Sequence, residues 1–435
     1  MKNINYATPE NIIHIQTESL KTTVKYLYNH SSYYKRILDN KGINVASIKT
    51  VDDLQRLPVI MKADLLEFNK DFFCCDPANA ADIVTTSGST GLQPIVHPLT
   101  QSDLQRLAFN EQASFTIPGI TASDFVMLTI ALDGSFVAGL AYYLGIKCLG
   151  ASIIRAGSKN INIQSEILKK YPISTIIGVA SNLIRLHRYC NDEGIVIEKE
   201  KIKKLVLIGE TIRNEDFTLN QLGRRLSECY PGAMLCSTYA NTETCTSFCE
   251  CSAGKGGHLH PHLAYIEILD ENDRRLPALT AGRLVITTFG CQGMPLLRYD
   301  TGDITFVDNE KCSCGRTTQR VGPIIGRIQS ILKINGITCS QAQLENVILS
   351  VSIIEDYCIV VQNDSNGIQT VTIYFVLPTE DSCYSGQALK QKIWDSVRIS
   401  VELKYCTSDQ LRKIQTSTNS RKPLRFINLS NGGAE

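Results

Sequence analysis

The chain has 435 residues, 43% of them hydrophobic and 20% charged, with a formal net charge of +1. That composition fits a globular protein of two or more domains with a sizeable core, and near-neutral charge gives no electrostatic reason to expect nucleic acid or an anionic membrane as partner. No apolar window of about 18 residues and no apolar N-terminal run is present, so neither a membrane span nor a signal peptide is expected, and sixteen cysteines without an export signal point to a reduced, cytoplasmic setting.

In chain order, apolar residues spaced by three and four (Leu20, Val24, Leu27) predict helices over Tyr6 to Asn29 and Ser32 to Asn40. From Ile83 to about Leu235, β-branched runs alternate with amphipathic segments. Strands are predicted at Phe125 to Ile130, Ser152 to Ile154, Thr175 to Gly178 and Lys204 to Ile208, with helices at Ile163 to Lys170 and Asn182 to Asn191. Such alternation argues for an α/β fold with a mostly parallel sheet covered on both faces. Strands between polar turns follow, at Tyr265 to Leu269, Gly282 to Thr288 and Asp303 to Val307. Beyond Arg327, strands at Asp356 to Gln362 and Thr370 to Val376, with helices at Gln341 to Leu349 and Gly386 to Leu403, are enough for a small separate domain.

Five motifs carry chemistry. Thr85-Thr86-Ser87-Gly88-Ser89-Thr90-Gly91 is a hydroxyl- and glycine-dense turn after an apolar stretch, before a helix start at Thr100-Gln-Ser-Asp103. Its backbone N–H groups and hydroxyls can cradle phosphates without a basic cluster, and no Gly-Lys-Ser/Thr closes it as a Walker loop would. In Tyr239-Ala240-Asn-Thr-Glu243 a carboxylate at a strand end can hold Mg²⁺ against phosphate oxygens. Arg298-Tyr-Asp-Thr-Gly-Asp303 places an Asp in a turn, where it can accept ribose hydroxyls, and Gly326-Arg327 offers a guanidinium at the suspected domain boundary. Each of these, taken singly, reads as an ordinary surface turn. The cysteines form the last set: Cys312-Ser-Cys314 is a tight thiolate pair, and Cys249-Glu-Cys251 with His258 precedes it.

The order of these motifs, followed by a small segment with a late lysine, resembles the AMP-forming adenylate synthetases, and among them the phenylacetate–coenzyme A ligase family. Tyr34-Tyr-Lys-Arg-Ile, Val51-Asp-Asp-Leu-Gln-Arg-Leu-Pro58, Lys62-Ala-Asp-Leu65, Gly209-Glu210 and Leu332-Lys-Ile-Asn-Gly336 support that branch, over about residues 20–430. The resemblance implies a large N-terminal domain (1–326) of mixed sheets with flanking helices and a small β subdomain at about 245–325, and a small mobile α+β domain (327–435). It implies a carboxylate that attacks the α-phosphate of ATP, releases pyrophosphate and passes its acyl group to coenzyme A or a carrier-protein phosphopantetheine, through positioning and charge neutralisation. By position, Thr86 to Gly91 would hold phosphates, Glu243 would hold magnesium, Gly209, Glu210 and Tyr239 would border adenine, Asp303 would bind ribose and Arg327 would assist. Lys422 would bridge the carboxylate and the α-phosphate. Phe136, with Gly139, would wall the acyl pocket above Ala240. Cys251, His258, Cys312 and Cys314 would hold a structural zinc, with His260, His262 and Cys249 as alternative ligands. Relatives are often homodimers.

The chain departs from that pattern at Gly91-Leu-Gln-Pro94, which lacks the usual lysine, at Gln329 in place of the hinge acid, at Ala180 where many relatives have Pro, and at Ala240 in place of Gly. These departures suggest a specialised member with an altered acyl pocket, or a degenerate one, and the expected substrate is an aromatic or polyketide-like acid. The rival expectations are loading of a carrier protein or adenylylation of another acceptor, and a catalytically weak ligand-binding protein.

Overall fold

The computed structural model describes residues 4–86, 94–197, 199–327, 331–334, 337–351, 353–363, 369–377, 386–416 and 424–429. They divide into two compact units, one reaching Thr86 and resuming over 94–324, the other running from Ile325 onward. In the first unit, among the described residues, nine strands share a sheet in the order Ser152–Arg155, Phe125–Leu128, Thr175–Gly178, Lys204–Ile208, Met234–Asn241, Thr246–Glu250, Gly257–His258, Arg320–Val321, Val307–Asp308. The first five are parallel, and the remainder pair antiparallel. Thr175–Gly178 is buried along its whole length, as an apolar run inside a covered parallel sheet must be. Helices Gln101–Thr116 and Val137–Leu149 pack on each other and against the sheet. In open sheets of this kind ligands bind beyond the carboxyl ends of the parallel strands. Here those ends lead into Asp133 to Phe136, Ala180–Ser181, Gly209–Glu210 and Ala240 to Glu243.

Ala264–Leu269, Gly282–Thr288 and Tyr299–Thr305 form an antiparallel set. Helix Pro9–His30, capped by Thr8, and helix Ser32–Asn40 share an apolar cluster with Phe72, Phe289 and Tyr299. Among the described residues, no helix is long and apolar enough to cross a membrane. In the second unit, strands Glu402–Tyr405, Gln369–Val376, Asp356–Asn363 and Phe426–Asn428 lie in that order. Leu344, Ile359, Ile373, Leu389 and Ile393 fill its core.

Several predicted elements need correction. The last long helix ends at Val397, where Arg398 turns left-handed at φ 59°, and Leu403 lies in a strand parallel to Gln369–Val376. Asp303 belongs to a strand and not to a free turn. That strand begins at Tyr299, earlier than expected, and is bulged: its register against Gly282–Thr288 slips between Arg283 and Val285, and Gly302 sits at φ 74°. Helix Gln221–Cys229 carries no motif and went unpredicted.

Candidate active site and metal centre

The strand Met234–Asn241 and the bulged strand Tyr299–Thr305 meet at one hydrogen bond. The Tyr239 hydroxyl donates to Asp303 Oδ2 at 2.8 Å, with Asp303 buried. Two residues past the first strand, Glu243 sits in a tight turn made by Asn241, whose Oδ1 accepts the N–H groups of Glu243 (3.0 Å) and Thr244 (3.3 Å). Arg106 clamps the next residues from helix Gln101–Thr116, donating to the carbonyl of Cys245, to Thr246 Oγ1 and to the carbonyls of Leu263 and Phe289. Glu243 is thus a buried carboxylate on a fixed turn. Lys62 Nζ stands 3.8 Å from its Oε1. Tyr299 faces it too: burial first, then the Glu243 charge, raises that phenol well above its ordinary pKa. A carboxylate with so loose a cationic partner keeps the capacity to take a divalent cation.

The flanks of the Ser/Thr/Gly turn are described, but Ser87, Gly88, Ser89, Thr90 and Gly91 lie outside the described residues. Thr86 is buried. Its N–H donates to the Ile95 carbonyl, and its Oγ1 accepts the Ile95 N–H, both at 3.0 Å, so it closes the base of the turn above strands Asp82–Thr85 and Val96–Leu99. The Thr85 N–H donates to the Ser135 carbonyl, which ties this hairpin to the segment leading into Phe136.

The second constellation is complete. The ligand atoms of Cys251, His258, Cys312 and Cys314 all lie within 4.8 Å of one another. Cys251 Sγ is 3.7 Å from Cys312 Sγ, and Cys314 Sγ is 3.6 Å from His258 Nε2. A tetrahedral zinc with Zn–S bonds of about 2.3 Å requires ligand edges of about 3.8 Å, so the cluster fits that ion. The other imidazole nitrogen, Nδ1, is 3.1 Å from Thr318 Oγ1, which orients the ring with Nε2 toward the thiols. Burial holds His258 down to about 3, in the neutral form that ligates. For Cys312, burial pushes the thiol up, but the Cys314 N–H and the Cys314, Arg320 and Cys251 side chains outweigh it and bring it to about 7. The alternative ligands are engaged elsewhere or lie apart from the set: Cys249 Sγ accepts from Thr238 Oγ1 at 3.1 Å, His260 Nε2 contacts Ser114 Oγ at 2.9 Å, and His262 packs its ring edge-on to Phe109. The N-terminal segment is strapped over the same loop, because the Thr317 N–H donates to the Asn5 carbonyl and Thr317 Oγ1 to that of Ala7.

No protein-family profile matches the chain. It is 29% identical over 358 residues to a phenylacetate–coenzyme A ligase of Thermus thermophilus, covering 80% of this chain and 78% of that one. It is 24% identical over 415 residues to the phenylacetate–coenzyme A ligase of Escherichia coli K12, covering 92% of each. Over most of its length the chain is similar to phenylacetate–coenzyme A ligases. Among solved structures, a 2-hydroxyisobutyryl-CoA ligase in the postadenylation state, in complex with R3-HIB-AMP, superimposes with a TM-score of 0.82 at 18% identity, over 98% of this chain and 91% of that one. At that identity the likeness concerns the fold alone.

The structure brings Tyr239, Glu243 and Asp303 into one neighbourhood and the four zinc candidates into another. Glu210 is committed to its own scaffold: its carboxylate accepts from the Ser181 N–H (2.8 Å) and Oγ (2.7 Å), capping the first turn of helix Ala180–Asp192. Gly209 and Ala240 are exposed and Phe136 is half-buried. Gly139 has a packing role, since a Cβ there would stand 2.0 Å from the Ala131 carbonyl oxygen. Arg327 lies in the second unit, exposed, while Lys422 and Gln329 lie outside the described residues. Sequence reasoning missed Lys62, Tyr299, Ser181 and Thr318 as neighbours of these groups. Lys62 stood in a quoted motif, but only its fold shows what it faces.

Proposed function

We propose that this adenylate-forming acid–coenzyme A ligase activates an aromatic or polyketide-like carboxylic acid. The acid would attack the α-phosphate of ATP, expel pyrophosphate as the Pα–O bond to the β-phosphate breaks, and pass its acyl group to the coenzyme A thiol. One observation supports the nucleotide site above the others: the 2.8 Å bond by which Tyr239 orients Asp303 at the carboxyl end of the parallel sheet, two residues before the turn that carries Glu243. Asp303 would accept the ribose hydroxyls, Glu243 would hold Mg²⁺ on the phosphates, and Lys422 would neutralise charge between carboxylate and α-phosphate. Phe136 would line the acyl pocket, and Cys251, His258, Cys312 and Cys314 would hold zinc in a structural role. Zinc, when bound, would cross-link the two loops of the cluster and take no part in acyl transfer.

The test is pyrophosphate release from purified protein against a panel of carboxylic acids, with and without coenzyme A. Acid-dependent release together with acyl–coenzyme A formation is the expected result. Release with no thioester would move the acceptor to a carrier protein, and no release with any acid would favour a ligand-binding role.

A further inference from the structure

The stretch from Asp82 to Thr100, which contains the Ser/Thr/Gly turn, has no lysine or arginine. A nucleoside triphosphate held there would bring about four negative charges, more than one divalent cation neutralises. An ammonium from a different part of the chain, Lys62, stands beside Glu243. Ile60 forms a parallel bridge with Tyr299, its N–H donating to the Arg298 carbonyl and its carbonyl accepting the Asp300 N–H, both at 2.9 Å. The segment before Lys62 is therefore tied into the strand that carries Asp303. Buried Arg298 reinforces the tie through the Leu57 carbonyl (2.6 Å) and Glu267 (3.0 Å). Asp64 then accepts the Met61 N–H at 2.7 Å and starts the helical turn Lys62–Glu67. Lys62 extends from this anchored start to within 3.8 Å of the buried Glu243 carboxylate. The lysine side chain is 42% exposed, and one long contact to such a group contributes little to stability. The buried Leu57 and Ile60 fix the backbone that carries Lys62, and the loose ion pair leaves its ammonium available to a ligand.

We infer that Lys62 binds the β- and γ-phosphates of the nucleotide and stabilises the departing pyrophosphate, beside the divalent cation on Glu243. This rests on the ligase reading above. As the carboxylate oxygen–Pα bond forms, the Pα–O bond to the β-phosphate breaks and its electron pair passes to the pyrophosphate oxygen. The ammonium meets that growing charge, and no proton need move. The role is electrostatic, and the adenosine half of the nucleotide does not sense it.

Calorimetry of ATP–Mg²⁺ and of AMP on the full chain, with wild type, Lys62→Met and Lys62→Arg, tests this. In Lys62→Met, ATP–Mg²⁺ binding weakens about tenfold and AMP binding stays within about twofold, as the loss of one charge-assisted contact to the distal phosphates predicts. The KM for pyrophosphate in acid-dependent ATP–pyrophosphate exchange rises by a similar factor, and Lys62→Arg stays close to wild type. Equal weakening of ATP and AMP, no weakening of either, or an arginine variant as poor as the methionine one overturns the inference while the ligase reading stands. Wild-type protein that binds neither nucleotide overturns both.

Discussion

The Cys251–His258–Cys312–Cys314 cluster and the Glu243–Asp303 neighbourhood belong to the same unit and are built on opposite terms. In the cluster every donor atom faces another donor, within 4.8 Å, and an outer hydroxyl from Thr318 fixes the ring that completes it. At Glu243, the backbone is clamped by Arg106 and Asn241, while the carboxylate has a lysine 3.8 Å away and the Tyr299 phenol as neighbours among the described residues. A site that serves folding closes on its own ligands. A carboxylate on a rigid backbone with a loose partner is the arrangement suited to meeting charge brought by a ligand.

The largest expected effect comes from breaking the closed site. Protein purified without chelator should contain one zinc per chain, and Cys314→Ser or strong chelation should unfold the first unit at ordinary temperature, since such a site contributes on the order of 10 kcal/mol to folding. Metal analysis with thermal unfolding decides it: a metal-free chain with an unchanged melting temperature would remove the structural zinc. Next comes Lys422→Ala. Adenylate formation should fall by about 10²–10³-fold, as loss of a donor at developing charge does, while thioester formation from pre-made acyl-adenylate survives. Stopped assays of each half-reaction separate the two, and equal loss of both shows that another residue bridges the charges.

A third variant probes a buried group that belongs to neither site. Glu111 accepts from Asn110 Nδ2 at 2.9 Å in a network reaching Ser247, Ser114 and His260. Burial pushes its carboxyl up from 4.5 to about 7, against the lowering effects of Ser247, Asn110 and Arg106. With the folded value raised, the native state binds more protons than the unfolded chain between those limits, so the Glu111 contribution to stability is full below 4.5 and is lost as pH rises through 7. Glu111→Gln should therefore match wild type at pH 4 and exceed it at pH 8, by up to about 3 kcal/mol. Denaturant midpoints at both pH values measure this, and a constant offset between the two proteins would refute it. The smallest effect sharpens the open site. Tyr239→Phe removes one hydrogen bond to Asp303 and should raise the KM for ATP by about fivefold, roughly 1 kcal/mol. An unchanged KM would show that Asp303 holds its place without the phenol.

Much of the fold was legible in the sequence where one periodicity dominated. Thr175–Gly178 and Lys204–Ile208 were predicted to the residue, because a fully buried parallel strand is a short β-branched run with no competing helical pattern. The helix at Gly386 was read too long because apolar residues continue to Leu403 at spacings that also suit a helix, and the left-handed Arg398 has no signature of its own. The bulge at Asp303 was read as a turn for a related reason: glycine beside threonine and aspartate looks the same whether the chain reverses or only kinks. Among the candidate residues, Cys312 and Cys314 were visible because two thiols lie two positions apart, whereas their meeting with Cys251 and His258 depends on the fold. The Lys62–Glu243 pair and the Glu210–Ser181 cap were not, because each joins segments from distant parts of the chain.

By itself the sequence determined many of the strands and helices, and which short motifs concentrate thiols, hydroxyls and carboxylates. Those outcomes depend on neighbours a few residues apart. Only the tertiary structure decided which carboxylate is buried, which lysine faces it and which histidine nitrogen meets the thiols. Tyr239 and Asp303 are 64 positions apart and touch only because two sheets converge there. Packing brings such groups together, and no local pattern records it.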